Sequence, residues 1–185
     1  MDYKKIYAKE ININGGIAEY IYENIKNSGK EDVVLVNVGT DLIVGDCLGP
    51  LIGSNVTDKI RNIKVYGTLD NLIHARNINY HIDTISKLQE HSYIIAIDSC
   101  IGNHEDIGAV ILSNRPVKPG AAFRDDLPSV GDCSVKGVVS SNKEFSSFVS
   151  SVRLSLVFNI AFKIEQEILK LDSLLSKKSA FVYSI

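Results

Sequence analysis

Val33-Val34-Leu35-Val36-Asn37-Val38-Gly39-Thr40-Asp41-Leu42-Ile43-Val44-Gly45-Asp46-Cys47-Leu48-Gly49-Pro50 begins as a nearly unbroken apolar run and ends on a proline. An apolar run without polar alternation fits a strand buried on both faces, as in the middle of a parallel sheet. Pro50 fits the first turn of a helix, where a missing N–H costs nothing. Between strand and helix lies a loop that holds Gly39, Asp41, Gly45 and Asp46. In an α/β sheet such a loop sits at the carboxyl edge, where ligands bind. A second run, Tyr93-Ile94-Ile95-Ala96-Ile97-Asp98, ends on another aspartate. Two parallel strands that each deliver a carboxylate to one edge would make an acid site.

The rest of the chain supports this frame. Ile17, Tyr20, Ile21 and Ile25 give the stretch from Gly15 to Lys26 a helical period. A strand is expected over Asp32 to Val38 and a helix from about Leu48 to Arg61. A short strand over Ile63 to Tyr66 precedes a helix that begins at Leu72 or His74 and ends near Glu90. Further strands are expected over Tyr93 to Asp98, Ile107 to Leu112 and Ser134 to Ser140. Asn114 to Asp132 is rich in proline and glycine, and a loop of that length is usually functional or mobile. Val149, Val152, Leu156, Ile160, Ile164 and Ile168 line one face of a final helix over about Glu144 to Leu175. Alternating strands and helices predict a three-layer α/β/α sandwich with a mostly parallel sheet. No internal repeat or linker divides the 185 residues, so a single domain is expected over 1–185.

Composition excludes several functions. A net charge of −2 and the lack of a basic stripe give no footprint for nucleic acid. No apolar run approaches the roughly 20 residues that span a bilayer, and the amino terminus lacks the apolar core of a signal peptide. Three cysteines without C-x-x-C spacing imply no disulfide framework, so a reducing, cytoplasmic setting is expected.

Each candidate residue has a bland reading beside its chemical one. Asp46 falls at or near the start of the second helix, where aspartate is a favoured cap. Asp98 ends an apolar strand, and a buried carboxylate there needs a partner. Together the two suggest a pair in which burial and like charge raise one pKa, leaving one acid protonated and one ionised. Asp132, after Gly131 and just before a strand, is either a third acid or a turn residue. Gly39, Thr40, Asp41, Gly67 and Thr68 are expected to line the cleft for substrate, although Asp41 also suits a loop-fixing role and Thr68 or Asp70 a helix cap. Cys47, Cys100 and Cys133 each stand within two residues of one of the three aspartates and are expected near the cleft. A thiolate would want a histidine or positive charge beside it; small-residue packing is the favoured reading. The glycine spacing matches no phosphate-binding motif and brings no lysine.

Several motifs occur in a specific order: Gly39-Thr40-Asp41, Gly45-Asp46-Cys47-Leu48-Gly49-Pro50, Val65-Tyr66-Gly67-Thr68-Leu69-Asp70 and Ile97-Asp98 with Cys100-Ile101-Gly102. Lys118-Pro119-Gly120, Leu127-Pro128 and Val130-Gly131-Asp132 follow. Over about residues 30 to 160 this pattern resembles the YyaC-type sporulation proteins of endospore-forming Firmicutes. That family is similar to the spore germination protease, and both resemble the hydrogenase maturation peptidases. The resemblance implies a phosphorylase/hydrolase-like α/β/α fold with its site at the strand edge. It implies catalytic roles for Asp46 and Asp98, which match the pair of the germination protease. In the hydrogenase peptidases a glutamate, an aspartate and a histidine bind the nickel of the substrate protein. Here no histidine follows His104, and Asp132 is expected in that neighbourhood. Nickel favours nitrogen-containing sites, so no metal and no other cofactor is expected.

Three readings follow. The first is an aspartate-dependent endopeptidase acting on a protein or peptide of the developing or germinating spore, in the forespore or spore core. The second is a non-catalytic sporulation factor that binds a partner through the same cleft. The third is a metal-dependent hydrolase with Asp46, Asp98 and Asp132 around a hard cation. Neither nucleic acid nor membrane is expected as a partner, and assembly into a homo-oligomer stays open.

Overall fold

Valine and isoleucine fill the strands of the sheet because both of its faces are covered, so neither side of a strand has to be polar. A computed structural model describes residues 3–7, 16–119, 127–141 and 152–182. The order along the chain is β1 (Tyr3–Tyr7), α1 (Ile17–Ser28), β2 (Asp32–Asn37), α2 (Leu48–Val56), β3 (Ile63–Tyr66), α3 (Ile78–His91), β4 (Ser92–Gly102), β5 (Ala109–Ser113), β6 (Cys133–Ser141) and α4 (Leu154–Val182). Short 3₁₀ turns occupy Val44–Cys47 and His104–Asp106. The strands form one six-stranded sheet in the order β1-β5-β6-β4-β2-β3. β3, β2, β4 and β6 run parallel, whereas β5 is antiparallel to both β6 and β1.

Successive strand residues point to opposite faces. Val33, Leu35, Ile95, Ile97 and Val135 pack with Ile21 and Ile25 of α1, Ile52 of α2, and Ile160, Ile164 and Ile168 of α4. Val34, Val36, Ile94 and Ala96 turn the other way, onto Ile78 and Ile85 of α3 with Val117, Leu127 and Val130. The result is the expected three-layer sandwich with a mostly parallel sheet.

Some boundaries differ from those the sequence suggests. β1 carries too short a pattern to announce itself, and it is fixed by pairing with β5. The second helix stops at Val56 and not near Arg61; Lys59 and Ile60 both donate to the Val56 carbonyl in the closing turn. α3 starts later than His74 because Asn77 ties the preceding turn, its Oδ1 accepting from His74 N and its Nδ2 donating to Leu72 O. β4 continues past Asp98 to Gly102, since β6 beside it is equally extended, with a register shift at Cys100/Ile101. The first part of the final helical stretch, 142–151, lies outside the described residues. Both ends of the Asn114 to Asp132 loop leave from the amino edge of the parallel strands, where Ser113 pairs with Ser134; residues 120–126 lie outside the described ones.

At the carboxyl edge the backbone closes tightly. Gly67 has φ +81, and a Cβ there would strike the Asn37 carbonyl oxygen. Gly29 has a similar φ of +72 but open space around it. Gly67→Ala should therefore cost about 1–3 kcal/mol, and clearly more than Gly29→Ala, in urea melts of the two variants. Equal losses would show that the close approach at Gly67 is not a constraint.

Candidate active site

The site is built from the ends of two parallel neighbours. β2 finishes at Asn37, whose side chain is fully buried and donates from Nδ2 to Tyr66 O at 2.9 Å. The chain then bends back. Gly39 N donates to Ile73 O at 2.8 Å, and Thr40 N donates to Asp46 O at 3.1 Å. These bonds close the loop into a small ring that holds Asp46 in the 3₁₀ turn ahead of α2. Cys47 occupies the N-cap position of α2 and no side chain caps it, so Asp46 is not spent on capping.

Asp98 comes from β4, directly after Ile97, which pairs with Asn37 of β2. It is only 8% exposed. Ser99 touches both acids: its N–H donates to Asp98 Oδ1 at 2.8 Å, and its hydroxyl donates to Asp46 Oδ1 across a longer 3.4 Å. Burial raises the Asp46 pKa from 3.8 to about 6, opposed by the Ser99 hydroxyl and the Thr40 backbone. Burial also drives Asp98 well above its ordinary value, and the Asp46 charge adds to the rise; the Ser99 N–H and the Lys136 charge oppose it. Burial is the main cause of both rises, and the Asp46 charge adds to that of Asp98. Of the two, Asp98 is the more deeply buried, and desolvation favours its neutral form.

The third expected acid is elsewhere. Asp132 precedes β6, which runs parallel to β4, so it lies at the amino edge. Lys136, opposite Asp98, is four residues further along β6, which puts Asp132 about 13 Å away along the strand. There Asp132 pairs with Lys30 at 2.8 Å and accepts from Ile94 N at 2.8 Å. The expectation that it joins the pair, or stands near a missing histidine, is corrected by the strand direction. The same reasoning removes Cys133, which is buried beside Tyr93 and pushed up to about 12 by desolvation.

The other candidates divide. Thr40 stays with the site, and its Oγ1 accepts from Leu42 N at 3.3 Å. Asp41 is exposed on the same loop. Gly67 and Thr68 share the carboxyl edge but follow β3, two strands from β4; Thr68 closes a turn with Asn71, and Leu69 N donates to Ser54 Oγ of α2. Cys47 and Cys100 flank the acids, but burial raises both thiols, Cys100 to about 11, which opposes thiolate chemistry. Sequence reading passed over Ser99 and Lys136. Ser99 follows Asp98 directly, but neither residue type nor spacing marks it; Lys136 could have been noticed as a cation inside an otherwise apolar strand.

As a metal centre the donors fit poorly. Among the described residues no group of three or more histidine, cysteine, aspartate or glutamate side chains is placed to hold an ion. With Asp132 at the far edge, Asp46 and Asp98 offer two carboxylates and no nitrogen, unlike a nickel site. No described helix is long and apolar enough to cross a membrane.

The chain is similar in structure to the [NiFe] hydrogenase maturation protease HycI from Thermococcus kodakarensis KOD1, with a TM-score of 0.54 and 12% identity, over 83% of this chain and 99% of that one. At that identity the likeness establishes the fold. Residues 5–167 match the family model DUF1256, described as a protein of unknown function, and the chain belongs to that family. It is 35% identical over 147 residues to "Uncharacterized protein YyaC" of Bacillus subtilis (strain 168), covering 78% of this chain and 72% of that protein.

The raised pKa of Asp98 makes a stability prediction. Between the unfolded value of 3.8 and the higher folded value, the folded state holds a proton that the unfolded state has lost. Stability therefore falls as pH rises through that window. Asp98→Asn removes the penalty. Its Tm should exceed that of the wild type at pH 8, and the difference should vanish at pH 3. A variant that melts below the wild type at pH 8 would mean that the carboxylate is well accommodated.

Proposed function

We propose that this protein is an endopeptidase in which Asp46 and Asp98 hydrolyse a peptide bond of a protein substrate. The observation that carries the reading is Ser99, one residue hydrogen-bonded to both carboxyls; the reading places the proton on the more buried acid, Asp98. The difference in burial assigns the roles. Asp46 takes a proton from water as the water oxygen bonds to the peptide carbonyl carbon. The C–N bond then breaks, and Asp98 gives its proton to the departing amine. The proton on Asp46 passes back to Asp98, which restores the pair; water has been divided between the new acid and the new amine.

Leu42 and Val44, 81% and 37% exposed, stand on the loop that carries Asp46 and suit a polypeptide better than a small polar molecule. The name of the hydrogenase maturation protease supports peptide-bond chemistry on this fold. The ordered motifs shared with YyaC-type proteins support a substrate in the developing or germinating spore, in the forespore or spore core. Fold alone does not fix function, so the test is chemical.

Wild type, Asp46→Asn and Asp98→Asn are incubated with spore-core extract and proteolysis is followed. The wild type should release new fragments, and each variant should lose at least about 100-fold in rate while its circular dichroism is unchanged. If both variants fully restore a sporulation or germination defect, the cleft is a partner-binding surface and not a catalytic one.

A further inference from the structure

We propose that Lys136 is a positioning residue of this site, its charge, on the strand next to that of Asp98, being the counter-charge that the acid meets when it releases its proton. The inference rests on the reading of Asp46 and Asp98 as a catalytic pair. Its basis is the register of the sheet: Asp98 of β4 lies directly across from Lys136 of β6. Neighbouring strands are about 4.8 Å apart. On β6 Cys133 and Val135 turn to the α1, α2 and α4 face, so alternation sends Lys136 to the opposite face. Asp98 shares that face, because Ile94 and Ala96 on the same strand parity pack toward α3.

A lysine here calls for an explanation. β6 is an interior strand, flanked by β4 and β5, and Lys136 is its one residue that is only half-buried. An ammonium partly withdrawn from water is best placed where a negative charge or hydrogen bonds receive it. Other lysines are committed elsewhere: Lys30 to Asp132, Lys59 to Glu165 and Lys170 to Glu19. The charge of Lys136 falls on Asp98 and on Cys100 beyond it. On its other side β6 offers Lys136 only Ile111 of β5 in register. The groups that face Asp98 are then Asp46 from the turn before α2, Lys136 from β6 and Cys100 on its own strand, while β2 presents Asn37 and Val38, which do not titrate.

The proposal gives Lys136 a defined effect. A protonated Asp98 needs no cation, but once it has passed its proton to the amine it is a carboxylate in a place that water barely reaches. A cation beside it favours that charged product and strengthens Asp98 as an acid. Lys136→Met should lower kcat on the order of tenfold and move the alkaline limb of the pH–rate profile up by about one to three pH units. Lys136→Arg, which keeps the charge, should hold the limb near its wild-type position.

The experiment runs wild type, Lys136→Met, Lys136→Gln, Lys136→Arg and Asp98→Asn on the same spore-core substrate across pH. The ¹³C resonance of the Asp98 carboxyl is followed in parallel, which needs no substrate. An upward shift of the limb and of the Asp98 titration in the Met and Gln variants, reversed in Arg, supports the role. Wild-type limb and titration in the Met and Gln variants, with Asp98→Asn inactive, overturn Lys136 and leave the pair standing. Cleavage by Asp98→Asn at the wild-type rate fails the pair itself and the inference with it.

Discussion

Asp98 cannot move away from Asp46, because its strand is held by parallel ladders on both sides, β2 through Asn37 and Ile97, and β6 through Lys136. Bringing Asp98 out to water, or away from the Asp46 charge, by moving the strand would mean breaking sheet hydrogen bonds, which is more costly than holding a proton. The proton is therefore what adjusts. The fold spends its rigidity at this point: the ring of backbone bonds from Thr40 to Asp46 prevents the loop from swinging out, and the buried Asn37 carboxamide ties β2 to the end of β3.

A comparison inside the same molecule shows what an ordinary aspartate looks like in this sheet. Asp132 has a lysine ammonium on one oxygen and a backbone N–H on the other, so both oxygens have a donor. It fastens the start of β6 to β4 and to Lys30, two residues after α1. Asp98 has one close donor, its neighbour's N–H, in a more buried place. Groups held short of full solvation, at a cost in stability, concentrate where proteins do chemistry. The difference between these two aspartates is the physical content of calling one edge of the sheet a site and the other a structural seam.

Much of this was legible in the sequence. β2 and β4 announced themselves as apolar runs, and the aspartates after β2 and at the end of the Tyr93 run were correctly drawn to one edge. The sandwich followed from the alternation of strands and helices. Asp132 and Cys133 were misplaced because proximity to a strand was read without its direction: residues that follow a parallel strand reach the carboxyl edge, whereas those that precede one sit at the amino edge. The late start of α3 was hidden by Asn77, whose turn-forming bonds cannot be seen in a helical period. Lys136 escaped because its partner is set by β4–β6 register, a long-range fact that no local window contains.

The central claim is that Asp46 and Asp98 form one coupled acid pair with the proton on Asp98. The direct measurement is a pH titration of the aspartate carboxyl ¹³C resonances in the wild type and in Asp46→Asn. The account predicts that Asp98 titrates well above its ordinary value of 3.8, that Asp46 titrates at about 6, and that removing the Asp46 charge lowers the Asp98 midpoint. Two carboxyls that titrate independently in the ordinary range near 4, each unmoved by loss of the other, would contradict it.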